Sequence, residues 1–234
     1  MMRAWIVAVG LSLAFLGFQP AAVWAAGAVT LSPTKLSVKG KAASLTVVND
    51  SDTPSLFQVD TLAWTAALPA METMSTNELI AVPVVFEVPA GGRQVVRLGL
   101  REPITGGLEK TYRLILTEVP TGQGPSGGVA FNFRYSLPVF VTPADALARP
   151  VWSIIETRQG PVVELANQGT AHLHLEAIRI ESADGDPIVS QQEQAYLLPE
   201  EVKRWSLDRR SVDRNQIHIR ASSNLGILEA TLQP

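Results

Sequence analysis

The stretch "VAFNFRYSLPVFV", Val129 to Val141, alternates without a break: Val129, Phe131, Phe133, Tyr135, Leu137, Val139 and Val141 are all large and apolar or aromatic. Side chains on a strand repeat every two residues, so all of them project from one face. The stretch follows directly on GQGPSGG, the segment of the chain with the weakest conformational preference. Either that face packs into this protein's own core along its whole length, or part of it serves something else.

Upstream, Leu45 to Val48, Leu56 to Trp64, Val82 to Val88, Gln94 to Leu100 and Tyr112 to Val119 are rich in β-branched, leucine and aromatic residues. Turn chemistry at Asn49-Asp50-Ser51-Asp52, Pro89-Ala90-Gly91-Gly92 and Thr105-Gly106-Gly107 separates them. Short strands at this interval predict a β-sandwich. Leu68 to Glu78 has no strong pattern and is expected to be a loop with a helical turn. Thr142 to Pro150, TPADALARP, is bracketed by prolines and predicts a stiff connection, its linker proper being 144–150. Beyond it, Val151 to Glu156, Val162 to Leu165, Ala171 to Glu181, Glu201 to Leu207, Ile217 to Ala221 and Gly226 to Leu232 predict a second, smaller sandwich, with Asp184-Gly185 as a hairpin turn. The expected fold is all-β, two sandwiches in tandem, over 26–143 and 151–234.

At the N-terminus, Arg3, the apolar run Ala4 to Phe18, Pro20 and then small residues have the layout of a secretory signal peptide over 1–25, cleaved after Ala25. The run is shorter than the ~20 residues a membrane span needs, so no membrane attachment is expected after cleavage. With 234 residues, 46% of them apolar, the chain can bury cores of ordinary size, and with no cysteine it must do so without disulfides or thiolate metal sites. A formal net charge of −3 and the absence of basic runs argue against a nucleic-acid partner.

Enzymatic signals are weak. Gly124-Pro125-Ser126-Gly127-Gly128 matches the G-x-S-x-G pattern, but a nucleophile elbow needs a strand turning into a helix, and here a strand follows. His172 and His174 share a strand face and His218 lies on another strand; convergence of the three would be needed for zinc, and no carboxylate pattern supports an open site. Glu200-Glu201 and Asp184/Asp186 fall in turns, and Asn49-Asp50-Ser51 is a formal glycosylation sequon. No catalytic residue, metal or cofactor is expected.

Several segments, in order, carry a family resemblance: AVTLSPTKLSV from Ala28, AASLTVVNDSDTPSLFQV from Ala42, FEVPAGGRQVVRLGL from Phe86, LEKTYRLILTEVP from Leu108, and the strand ending in VTP. Their order and spacing resemble the N-terminal domain of the periplasmic pilus-assembly chaperones. VVELANQGTAHLHLEAIRI and AYLLPEEVKRWSL are similar to the C-terminal domain of the branch that serves spore-coat-U-like subunits.

The resemblance implies two immunoglobulin-like sandwiches set in an L. It also implies a periplasmic location, a pilus or fimbrial subunit and an outer-membrane usher as partners, and a function in donor-strand complementation. In that interaction the last strand of the first domain fills the gap in a subunit that lacks a strand. It assigns Val129, Phe131, Phe133 and Tyr135 to the donor strand, while Tyr135 to Val141 also reads as core. It further implies two cations that hold the subunit's terminal carboxylate. Lys35 aligns with the first. The second falls on Pro138, which cannot serve, leaving Arg134 and then Arg97 as candidates. Glu109 aligns with an acid that fixes the interdomain angle, but the basic residue expected before Pro143 is Thr142. Two other readings stay open: an exported adhesive or structural subunit, and an exported metal-dependent hydrolase built on the histidines.

Overall fold

The computed structural model describes residues 29–38, 42–66, 73–120, 132–208 and 216–233, and among them every regular element is a β-strand. The first set runs β1 (Val29–Ser32), β2 (Leu36–Ser37), β3 (Ala42–Asn49), β4 (Ser55–Ala63), β5 (Met74–Ser75), β6 (Leu79–Val82), β7 (Val85–Val88), β8 (Arg93–Leu100), β9 (Lys110–Val119) and β10 (Arg134–Val141). One sheet has the order β1-β3-β8-β6; the other has β2-β10-β9-β4-β5, with β7 also on β4. Alternation turns Leu45, Val47, Val96 and Leu98 of the first sheet toward Phe57, Val59, Tyr112, Leu114, Leu116 and Val139 of the second, and all are buried.

Two local expectations change. Val82 to Val88 is not one strand, because Pro83 removes a ladder donor between β6 and β7 and the chain crosses from one sheet to the other there. Within Leu68 to Glu78, residues 67–72 lie outside the described residues, and Met74 and Ser75 pair with Ala63 and Leu62 rather than forming a helical turn.

The second set runs β11 (Pro150–Thr157), β12 (Gly160–Asn167), β13 (Leu173–Ser182), β14 (Pro187–Leu197), β15 (Val202–Ser206), β16 (Ile217–Ser223) and β17 (Gly226–Leu232). Its sheets are β11-β12-β15 and β14-β13-β16-β17, closing over Val163, Leu165, Leu173, Leu175, Ile178, Ile180, Trp205 and Ile219. β14 escapes sequence reasoning because its middle, Ser190 to Gln194, is polar and, apart from Glu193, exposed; pairing with β13, not apolar alternation, makes it a strand. The Asp184-Gly185 turn joins β13 and β14, with Gly185 at φ +88°.

Each sandwich uses one buried asparagine to tie strand ends together. Asn49 Nδ2 donates to the carbonyls of Thr53 (2.7 Å) and Val88 (3.0 Å), while its Oδ1 accepts from the Ser51 hydroxyl (2.6 Å). Asn167 Nδ2 donates to Ala171 (2.8 Å) and Leu197 (3.0 Å), and its Oδ1 accepts from the Arg149 and Gly169 amides, each at 3.1 Å. The Asn49 amide is therefore consumed internally, and the sequon is a capping motif. The connection between the sandwiches is tied down as well. Leu147 O accepts from the Thr170 amide (2.8 Å) and Arg149 O from the Gln168 amide (2.9 Å). A Cβ on Gly169 would sit 2.2 Å from Leu147 O, so only glycine allows this approach.

Candidate functional site

β10 decides what the first sandwich can offer a partner. β9 pairs with it from Arg134 to Val141, but on its other side β2 covers only Val139 and Phe140. From Arg134 to Pro138 that outer side carries no strand among the described residues, leaving backbone groups free to pair with another chain. Burial changes along the same strand: Leu137, Val139 and Val141 are buried in the core, Tyr135 is half-buried against its edge, and Phe133 is 38% exposed. Phe133 stacks on Tyr135 with centroids 6.1 Å apart, so the apolar stripe continues past the end of this protein's own core. Tyr135 thus belongs chiefly to that core. Val129 and Phe131 lie outside the described residues.

At the other end of β10 the two sandwiches meet. Trp64, Phe140, Leu198 and Tyr196 pack there as an apolar cluster drawn from both. Glu109 lies just before β9 and is buried; His172 lies just before β13 on the second sandwich. The Glu109 carboxylate accepts from the Thr142 hydroxyl (2.6 Å) and the His172 amide (2.9 Å), and His172 Nδ1 lies 2.9 Å from both of its oxygens. The His172 ring also stacks on Phe140 at 3.7 Å. The acid expected at the junction therefore does bridge it, with a histidine of the second sandwich and the Thr142 hydroxyl in place of the absent basic residue.

On the face of this junction that opens beside the β10 edge, the cations are unpaired. The register Leu36 to Val139 brings Lys35, one residue earlier, beside Pro138, and Pro138 lies directly opposite Arg113 on β9. Arg113 and Pro138, directly paired, share a sheet face, and Lys35 lies one residue before the β2 pairing on the other side of Pro138, so the two cations flank it across two strand spacings, about 10 Å. The Arg113 guanidinium lies 3.8 Å from the Trp64 ring centroid, burial lowers its pKa, and it comes close enough to Tyr196 to oppose the upward shift that burial gives the phenol. Among the described residues neither Lys35 nor Arg113 has a carboxylate partner.

The structure does not bring the other two candidate cations here. Arg134 shares this face but pairs with Thr117, about 13 Å along the strand from Pro138. Arg97 lies in the other sheet, opposite Ser44 and Val82. Sequence reasoning named Arg134, on the strand of Pro138, and Arg97, on β8, and missed Arg113; the available signal was the cross-strand partner of Pro138, which requires the register.

His174 sits against Tyr196, with rings 4.4 Å apart and 23° from parallel, while His218 lies far off on β16 beside Thr231. Among the described residues no group of histidine and acidic side chains has the arrangement to hold a metal ion.

Residues 28–146 match the family model described as pili and flagellar-assembly chaperone, PapD N-terminal domain. No curated protein matches significantly. Similar solved structures include a chain of the CsuC–CsuE chaperone–tip adhesion subunit pre-assembly complex from archaic chaperone-usher Csu pili of Acinetobacter baumannii. It shares 22% identity at TM-score 0.65, over 88% of this chain and 98% of that one. The Pseudomonas aeruginosa CupB2 chaperone is 19% identical at TM-score 0.60, over 87% and 99%. The complex of Salmonella enterica SafA pilin with the SafB chaperone contains a further match, 17% identical at TM-score 0.62, over 88% and 96%. These likenesses support the two-sandwich fold, and the family match covers half the sequence. The chain belongs to the family of pili and flagellar-assembly chaperones.

Proposed function

We propose that this chaperone acts in the periplasm, after removal of residues 1–25, and hands an incomplete pilus or fimbrial subunit of the spore-coat-U-like type to an outer-membrane usher. It holds the subunit by adding the outer edge of β10 to the subunit's sheet. Val129, Phe131 and Phe133 enter the subunit's open groove, and Lys35 and Arg113 receive its terminal carboxylate over Pro138. The observation that carries this is the open edge of β10 from Arg134 to Pro138, next to an apolar stripe that outruns the core. A free sheet edge supplies main-chain affinity and alternate side chains supply specificity. Two unpaired cations at the inner end of that edge give an extended partner a fixed stopping point. Arg113, held over the Trp64 ring, carries a guanidinium fork that can make a bidentate contact, which a lysine cannot.

Co-expression with a small exported subunit encoded beside its gene, followed by pull-down, tests the proposal. Recovery of a soluble complex is expected, with its loss on Phe131→Ser/Phe133→Ser. Undiminished recovery from that variant would remove β10 as the donor.

A further inference from the structure

We infer that the carboxylate site extends onto the second sandwich through His174, and that capture of a carboxylate-terminated chain is coupled to uptake of a proton by this histidine. This rests on the proposal that Lys35 and Arg113 receive a carboxylate. His174 is on β13, paired directly with Tyr196 of β14, and its ring lies over the phenol. Tyr196 also packs edge-on to Trp64 at 6.0 Å, and Trp64 carries Arg113. Arg113 and His174 thus rest on one aromatic floor from β9 and β13, and Lys35, just before β2, lies near enough for its charge to act on His174.

The charges facing His174 are few. Its own strand contributes Glu176, whose Oε1 lies 3.9 Å from Nδ1 and whose side chain is half exposed, and just before that strand stands His172, which is already held by Glu109. Before β2 stands Lys35; Arg113 of β9 lies beyond Tyr196 of β14. The turn between β16 and β17 contributes only the Asn224 amide, which accepts from the His174 backbone (2.8 Å). The ring itself makes no hydrogen bond among the described residues. Burial, and then the charge of Lys35, hold its pKa below the ordinary histidine value, so the free chaperone carries it neutral at pH 7.

A carboxylate seated between Lys35 and Arg113 reverses the second effect. It offsets the ammonium that repels the proton and places a negative charge beside an imidazole with hydrogen-bonding capacity to spare. The bound-state pKa therefore rises above the free-state one. The sign follows: the extra affinity is fully present below the free-state pKa and is lost as pH rises through the bound-state pKa. Capture tightens on mild acidification, by at most about tenfold per pH unit for one proton.

The test uses the full exported chain with labelled histidines. Its probe is an N-acetylated peptide of alternating Val and Thr residues ending in a free carboxylate, with the C-terminal amide as its twin. Followed by NMR, saturation with the acid is expected to raise the His174 titration midpoint by about one unit, while the amide leaves it in place. Affinity for the acid is expected to fall about tenfold between about pH 5 and pH 8 in the native chain and to stay nearly flat in His174→Gln, whose His172 resonance reports an intact junction. If the acid binds better than the amide but the His174 midpoint and the pH profile are unchanged, the proton coupling is overturned and the carboxylate site stands. Equal binding of acid and amide, or binding of neither, overturns the carboxylate site itself.

Discussion

The domain junction holds two groups of polar residues that are left in opposite states. On one flank the buried Glu109 carboxylate has its hydrogen-bonding capacity filled by Thr142, the His172 amide and the His172 ring. On the other, Lys35 and Arg113 stand at the end of an open strand edge with no carboxylate partner among the described residues. A buried carboxylate must be satisfied internally or the fold pays for it, whereas the exposed Lys35, and Arg113 resting on the Trp64 ring, can stand without a carboxylate at less cost. The closed flank is thus satisfied within the fold, while the open flank keeps two cations beside the edge of β10.

The sharpest way to break this comparison is Arg113→Ala. Capture of the subunit should weaken by about 2 to 5 kcal/mol, since the partner's carboxylate is left desolvated and under-paired. Thermal unfolding of the free chaperone should hardly move. Arg113→Lys should fall between, keeping charge without the fork. A parallel loss of Tm and binding in Arg113→Ala would mean the residue is structural. Glu109→Gln reverses the pattern: about 1.5 to 3 kcal/mol of stability is expected to go with the charged hydrogen bonds, read by denaturant unfolding as the two sandwiches separating into two transitions. A single unshifted transition would show that the apolar cluster of Trp64, Phe140, Tyr196 and Leu198 holds the angle alone.

Smaller effects sharpen the picture along β10. Phe133→Ser should cost about 1 kcal/mol of capture and nothing in stability, because Tyr135 already covers part of the ring and only the remainder of the roughly 1.5 to 3 kcal/mol available from full burial is left for a partner. Equilibrium binding against the native chain measures it. Arg134→Ala and Arg97→Ala, at solvated positions away from Pro138, are each expected to change binding by less than about 1 kcal/mol. A large loss in Arg134→Ala would move the anchor to the outer end of the strand.

The all-β class and the two sandwiches were legible because each rests on a two-residue period and on turn residues, both local properties. The aromatic alternation from Val129 to Val141 lies in the linear chain, whereas Val82 to Val88 reads as one strand although Pro83 divides it into β6 and β7. β14 was hidden because an exposed edge strand needs no apolar side chains in its middle to pair. Glu109 could be aligned with a junction acid, but its histidine partner lies 63 residues away and was visible only once folded.

By itself, the sequence determined which residues face inward along each strand, where turns fall, that export is expected, and that no cysteine chemistry takes part. The tertiary structure alone decided which strand lies beside which and in what register. Pro138 removed a cation from the expected position, and only the pairing of β10 with β9 shows Arg113 standing across from it. The physical reason is that a strand's own pattern specifies its faces, while its neighbours are chosen by the packing of two whole sheets. A site made from three strands and a second domain therefore has no local signature to read.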